Sequence, residues 1–161
     1  MEAINLVQEF PYKLADVLAA RERRYEDIKR FPELKDQKIL EKREEGDMIF
    51  TRRELAFGDK VPDLLKKIVP PEMLKMLEES HFNSKTHVNN YEVFPQNNKD
   101  KLCIHGRSVY EDLGEKSRRS YELKIECNVP LIGSILAGQI RDQYQKGLVK
   151  DYNLLLELLS E

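Results

Sequence analysis

Between Pro130 and Ser160 the apolar residues Ile140, Tyr144, Leu148, Tyr152, Leu155 and Leu159 recur three or four positions apart, which is the stripe of an α-helix. Gln139, Asp142, Lys146, Lys150, Asn153 and Glu157 fall on its opposite face. Unbroken, such a helix runs roughly 45 Å, more than the diameter of about 40 Å of a compact chain of this size. It must cross the whole fold, so what it lies against sets the architecture.

The chain before it reads mostly as strands. Residues 2–10 alternate, with Ile4, Leu6 and Phe10 on one side and Gln8 the single polar residue among them. Pro11 suits the first turn of a helix, and Leu14, Val17, Leu18 and Tyr25 keep helical spacing up to Phe31 and Pro32, as one or two short helices with a break near Ala20. From Leu34 two polar strands follow, joined at Glu44, Glu45, Gly46 and Asp47, where Gly46 supplies the positive φ of a tight hairpin; the second runs from Met48 to Phe57. Val61 to Pro71 holds two or three helical turns around Leu64, Leu65 and Ile68, closed by Pro70 and Pro71. Residues 73–83 and 85–94 fit a hairpin turning at Asn83 and Ser84, although Met73 to Glu79 fits a helical turn equally well.

Past a loop at Pro95 to Lys99, Leu102, Ile104, Gly106, Ser108 and Tyr110 alternate with Cys103, His105, Arg107 and Glu111. After a turn containing Gly114, Tyr121, Leu123, Ile125, Cys127 and Val129 face one way, and Ser120, Glu122, Lys124, Glu126 and Asn128 the other. The sum is an α+β fold in one domain, residues 1–161. A curved antiparallel sheet of about seven strands follows a β-then-two-short-helices opening, and its single apolar face is covered by the C-terminal helix.

Composition narrows the setting. Charged residues make up 35% of the chain, yet the net charge is −2, so no overall field recruits nucleic acid or an acidic membrane. The opening MEAINLVQEF has neither a basic leader nor an apolar core, and no run approaches the ~20 apolar residues of a membrane span. Two cysteines, Cys103 and Cys127, make no disulfide framework. A cytoplasmic protein, monomeric or a weak homodimer, is expected.

The order of elements, together with Asn128, Val129, Pro130, Leu131, Ile132 and Gly133 at the exit from the last strand and Phe10, Pro11 and Tyr12 at the end of the first, resembles the helix-grip fold of the START-like, or SRPBCC, superfamily. That superfamily includes birch-pollen-allergen-like proteins, lipid-transfer domains and aromatic polyketide cyclases, and the motif resembles a bacterial branch of unknown function. The resemblance covers nearly the full length and brings no catalytic motif. It implies a cavity between helix and sheet that admits an apolar small molecule.

Within that frame the expected ligand-binding residues are Ile104, Ser108, Tyr110, Tyr121, Leu123 and Ile125 of the sheet and Ile140, Arg141, Tyr144 and Leu148 of the helix. Arg141 falls near the middle of the apolar stripe, where a guanidinium needs an anion from the protein or from a ligand. Cys103 and His105 share a strand face and suit a nucleophile–base pair or half a metal site. Leu102 and Ile104 claim the apolar face, however, which turns that pair toward solvent, so no metal, cofactor or catalytic residue is expected. The basic residues Arg21, Arg23, Arg24, Lys29 and Arg30, interleaved with Glu22, Glu26 and Asp27, read as a solvated helix face. The function expected is binding or transport of a small hydrophobic or lipid-like ligand. The alternatives are a cyclase, dehydratase or isomerase, which needs an inward acid or base that the pattern does not supply, and a protein-interaction module with a closed cavity.

Overall fold

The computed structural model describes residues 1–32, 37–56, 67 and 75–161. Apart from Lys67, the helix expected at Val61 to Pro71 lies outside the described residues. Strand β1 (Glu2–Phe10) leads into α1 (Leu14–Arg23), whose end tightens into a 3-10 turn, Arg24–Glu26. Then come β2 (Lys38–Glu45), β3 (Met48–Ala56), β4 (Lys75–Asn83), β5 (Val88–Pro95), β6 (Leu102–Asp112) and β7 (Ser117–Cys127), and finally α2 (Gly133–Leu159). The second short helix expected after β1 is only that 3-10 turn. Residues 75–83 are strand, which resolves the ambiguity at Met73 to Glu79 for the residues described.

The seven strands form one antiparallel sheet in the order β1-β7-β6-β5-β4-β3-β2. Among the described strands β2 to β7 pair with their sequence neighbours, and β1 crosses to pair with β7. Gly46 and Gly114 adopt φ of 61° and 86° in the β2–β3 and β6–β7 turns, the left-handed region that glycine enters without a Cβ clash.

Helix α2 has 27 residues, a length of about 40 Å. Gly133 starts it against the end of β7, where a Cβ would come 2.7 Å from the Cys127 carbonyl oxygen. Two apolar clusters hold the grip closed. One joins Ile4, Val93, Leu102, Ile104, Leu123 and Ile125 of the sheet to Ala137 of α2, with Ile140, Tyr144 and Leu148 packed at its edge. The other joins Phe10, Tyr110, Leu14, Val17 and Ala20 to Leu155 and Leu158. Between them the inner face of the sheet is polar.

Candidate functional site

Register assigns the inner face residue by residue, since antiparallel Cα partners point to the same side. Gly106 pairs with both Tyr91 and Leu123, and Ile104 with Val93 and Ile125. On β4 and β3, Ser80 opposite Tyr91 and Glu78 opposite Val93 continue that face, and Arg53 stands opposite Glu78. The polar belt is therefore Arg53, Thr51, Glu78, Ser80, Asn89, Tyr91, Ser108, Tyr110, Arg119 and Tyr121.

Its α1 end is a network of fixed charges. Arg119 is 1% exposed and donates from Nε and Nη2 to Gln8 Oε1 at 3.1 and 2.7 Å, and from Nη2 to Asp151 Oδ2 at 3.3 Å. Asp151 also accepts from Arg24 Nη1 at 2.5 Å, and Gln8 Nε2 donates to the Leu148 carbonyl at 3.1 Å. One carboxylate thus ties α1, β7 and α2 together. Arg119 also lies over the rings of Phe10 and Tyr121, 5.3 and 5.0 Å from their centroids. Arg21, on the same side of α1 as Val17 and Ala20, places its guanidinium 5.3 Å from the Phe82 ring and 5.6 Å from that of Tyr110. Burial alone would raise the Tyr110 phenol, but Arg21, Arg119 and Arg24 outweigh it and hold the phenol below its ordinary value. Arg21 and Arg24 are thus turned inward, whereas the sequence pattern placed them on a solvated face.

Glu78 is the group the sequence reading missed. Desolvation raises its carboxyl above the ordinary value despite the opposing charges of Arg53, Arg21 and Arg24. The Tyr144 phenol, on α2, is raised by desolvation and by the Glu78 charge. Tyr91 is raised well above its usual value by burial and by Tyr121, Tyr144 and Glu78, and Tyr121 by burial and by Tyr110. Desolvation is the largest influence on all four groups, and all four residues are half-buried, Tyr91, Tyr121 and Tyr144 against the apolar cluster of Ile104, Leu123 and Ile125.

Of the residues expected from sequence, Ile140, Tyr144, Leu148 and Tyr121 are half-buried, while Ile104, Ser108, Tyr110, Leu123 and Ile125 face inward and are fully buried. Arg141 pairs with protein carboxylates. Its Nη1 stands 2.7 Å from Glu2 Oε2 and its Nη2 3.0 Å from Asp142 Oδ1, with 38% of the side chain exposed. The signal for Arg119 was present, two residues before Tyr121 on the inward side of β7. The signal for Glu78 was not, because adjacent Glu78 and Glu79 blur the alternation of β4.

On the outer face, a hollow of about 240 Å³ is lined by Glu79, His81, Asn90, Tyr91, Glu92, His105 and Gly106. Cys103 lies on this face as expected but is not solvated: it is 5% exposed beside Glu92. Burial, then the Glu92 charge, pushes its thiol up to about 11. No described helix is long and apolar enough to cross a membrane.

A family described as "protein of unknown function (DUF2505)" matches residues 6–159. No curated protein matches the sequence. Among solved structures, the Zhui aromatase/cyclase from Streptomyces sp. R1128 superposes with a TM-score of 0.62 at 10% identity, over 99% of this chain and 93% of its own. A START superfamily protein from Mycobacterium smegmatis gives 0.60 at 11%, over 97% and 98%. Norcoclaurine synthase from Thalictrum flavum, solved with dopamine and hydroxybenzaldehyde, gives 0.61 at 10%, over 98% and 86%. At these identities the likeness is one of fold, and that fold is the helix grip.

Proposed function

Since the chain belongs to the DUF2505 family and folds as a START-superfamily helix grip, we propose that it binds a small, largely apolar molecule with one or two polar groups between the sheet and α2. The observation that carries this reading is the set Glu78, Tyr91, Tyr121 and Tyr144, polar groups that strand register and α2 bring to the apolar cluster and that are desolvated there without being fully buried. The floor of Ile104, Leu123 and Ile125 and the flank of Ile140 and Leu148 take the apolar body, at roughly 25 cal/mol per Å² buried before association costs. The phenols and the Glu78 carboxyl orient its polar end. The small aromatic ligands of norcoclaurine synthase support this ligand class. The test is solvent extraction of the natively purified protein with mass spectrometry of the extract, beside titration with an environment-sensitive naphthalene dye. A stoichiometric organic component, or saturable dye binding lost in Tyr144→Trp, is expected; an empty extract together with no saturable dye binding sinks the reading.

Glu78 favours a second reading, proton transfer on such a ligand by a cyclase, dehydratase or isomerase. A carboxyl whose pKa is raised by burial holds its proton more readily than an exposed one and can serve as a general acid as well as a base. Here Glu78→Gln abolishes turnover of an aromatic polyketide-like substrate while dye binding persists; turnover that survives the substitution eliminates Glu78 as the acid or base.

A further inference from the structure

We propose that Glu92, Cys103 and His105 form a binding site for a zinc-class divalent cation on the outer face of the sheet. The site is independent of the internal ligand reading. Glu92 of β5 is the Cα partner of His105 of β6, and Cys103 lies two residues from His105, so all three side chains leave the sheet on one side. Their donor atoms lie within 4.8 Å of one another. Tetrahedral zinc with bonds of about 2.0–2.3 Å sets its donors about 3.5 Å apart, so side-chain rotation closes the triangle without moving the backbone that the strand pairing fixes.

The donor set is mixed in the way zinc prefers: one thiolate, one imidazole and one carboxylate. Glu126 of β7, the Cα partner of Cys103, has its carboxylate 3.9 Å from His105 Nε2 and can supply a fourth donor. Lys99 is the competitor. Its ammonium sits 2.7 Å from Glu92 Oε2 and neutralises that carboxylate, and an arriving cation displaces it. Binding forms the metal–sulfur bond as the Cys103 thiol proton passes to solvent, so no redox partner is involved.

The experiment titrates the metal-free full-length protein with zinc chloride by calorimetry and with cobalt(II) by absorption. One equivalent is expected, with a thiolate-to-cobalt charge-transfer band in the near ultraviolet. That band vanishes in Cys103→Ser and persists in Cys127→Ser. Zinc affinity falls at least about tenfold in His105→Ala and Glu92→Gln, and rises in Lys99→Ala. Thermal melts of each variant in the absence of metal check that the fold is kept. Absence of the band in the wild type, its survival in Cys103→Ser, or its loss in Cys127→Ser overturns the site.

Discussion

The Tyr91 ring lies over Gly106, so close that a Cβ on residue 106 would overlap it. The two residues are Cα partners across β5 and β6, and the missing side chain of one is the seat of the other. Gly106→Ala is expected to cost about 1–3 kcal/mol by overpacking. In a Tyr91→Ala background, where the ring is gone, the same change is close to neutral. A double-mutant cycle by urea denaturation measures the coupling; additive effects would show that the ring does not depend on the glycine.

Asp151 is the carboxylate that Arg24 and Arg119 share. Asp151→Ala strands a guanidinium that is 1% exposed, and the loss of one partner of such a buried pair costs about 3 kcal/mol or more. Denaturant unfolding reads it directly. A loss below about 1 kcal/mol would mean that Gln8 and the aromatic rings suffice to hold Arg119.

Glu78 sets a pH dependence of definite sign. Below the ordinary carboxyl value of 4.5 both folded and unfolded chains hold the proton, and the residue contributes nothing to pH-dependent stability. As pH rises the unfolded chain releases its proton first, so stability falls until the raised folded carboxyl ionises as well. Glu78→Gln escapes that loss. It is expected to melt above the wild type at pH 7, with the gain vanishing near pH 4; a gain that is the same at both values would show that burial does not govern the carboxyl.

The sheet and the final helix were legible because their patterns are unambiguous: Tyr121, Leu123 and Ile125 alternate, and Ile140, Tyr144 and Leu148 keep helical spacing. The inner polar belt was not. It is assembled across strands by register, so that Glu78, Arg53, Tyr91 and Gly106 meet although no local motif links them. Arg21 and Arg24 were hidden for a different reason. A charged run reads as solvated, and only the buried positions Val17 and Ala20 show which side of α1 faces the sheet. Glu92, the cross-strand partner of His105 and a neighbour of Cys103, is invisible for the same reason as Glu78.

Arg141 pairs with carboxylates of the protein itself. Its partners are Glu2 and Asp142, and exposed pairs contribute little to stability. Arg141→Ala is expected to leave dye affinity within about twofold of the wild type, the scatter usual for a surface change, and to shift the melting temperature only slightly. A large loss of affinity would return this residue to the binding site.

The central claim, that a small apolar molecule enters between the sheet and α2, is tested most directly by NMR mapping of side-chain resonances during titration with a naphthalene dye. Shifts centred on Tyr91, Tyr121, Tyr144, Ile140 and Leu148 are the predicted result. Shifts confined to the open groove on the other flank of α2, around Lys146, Val149 and Leu154, or no shifts at all, would contradict it.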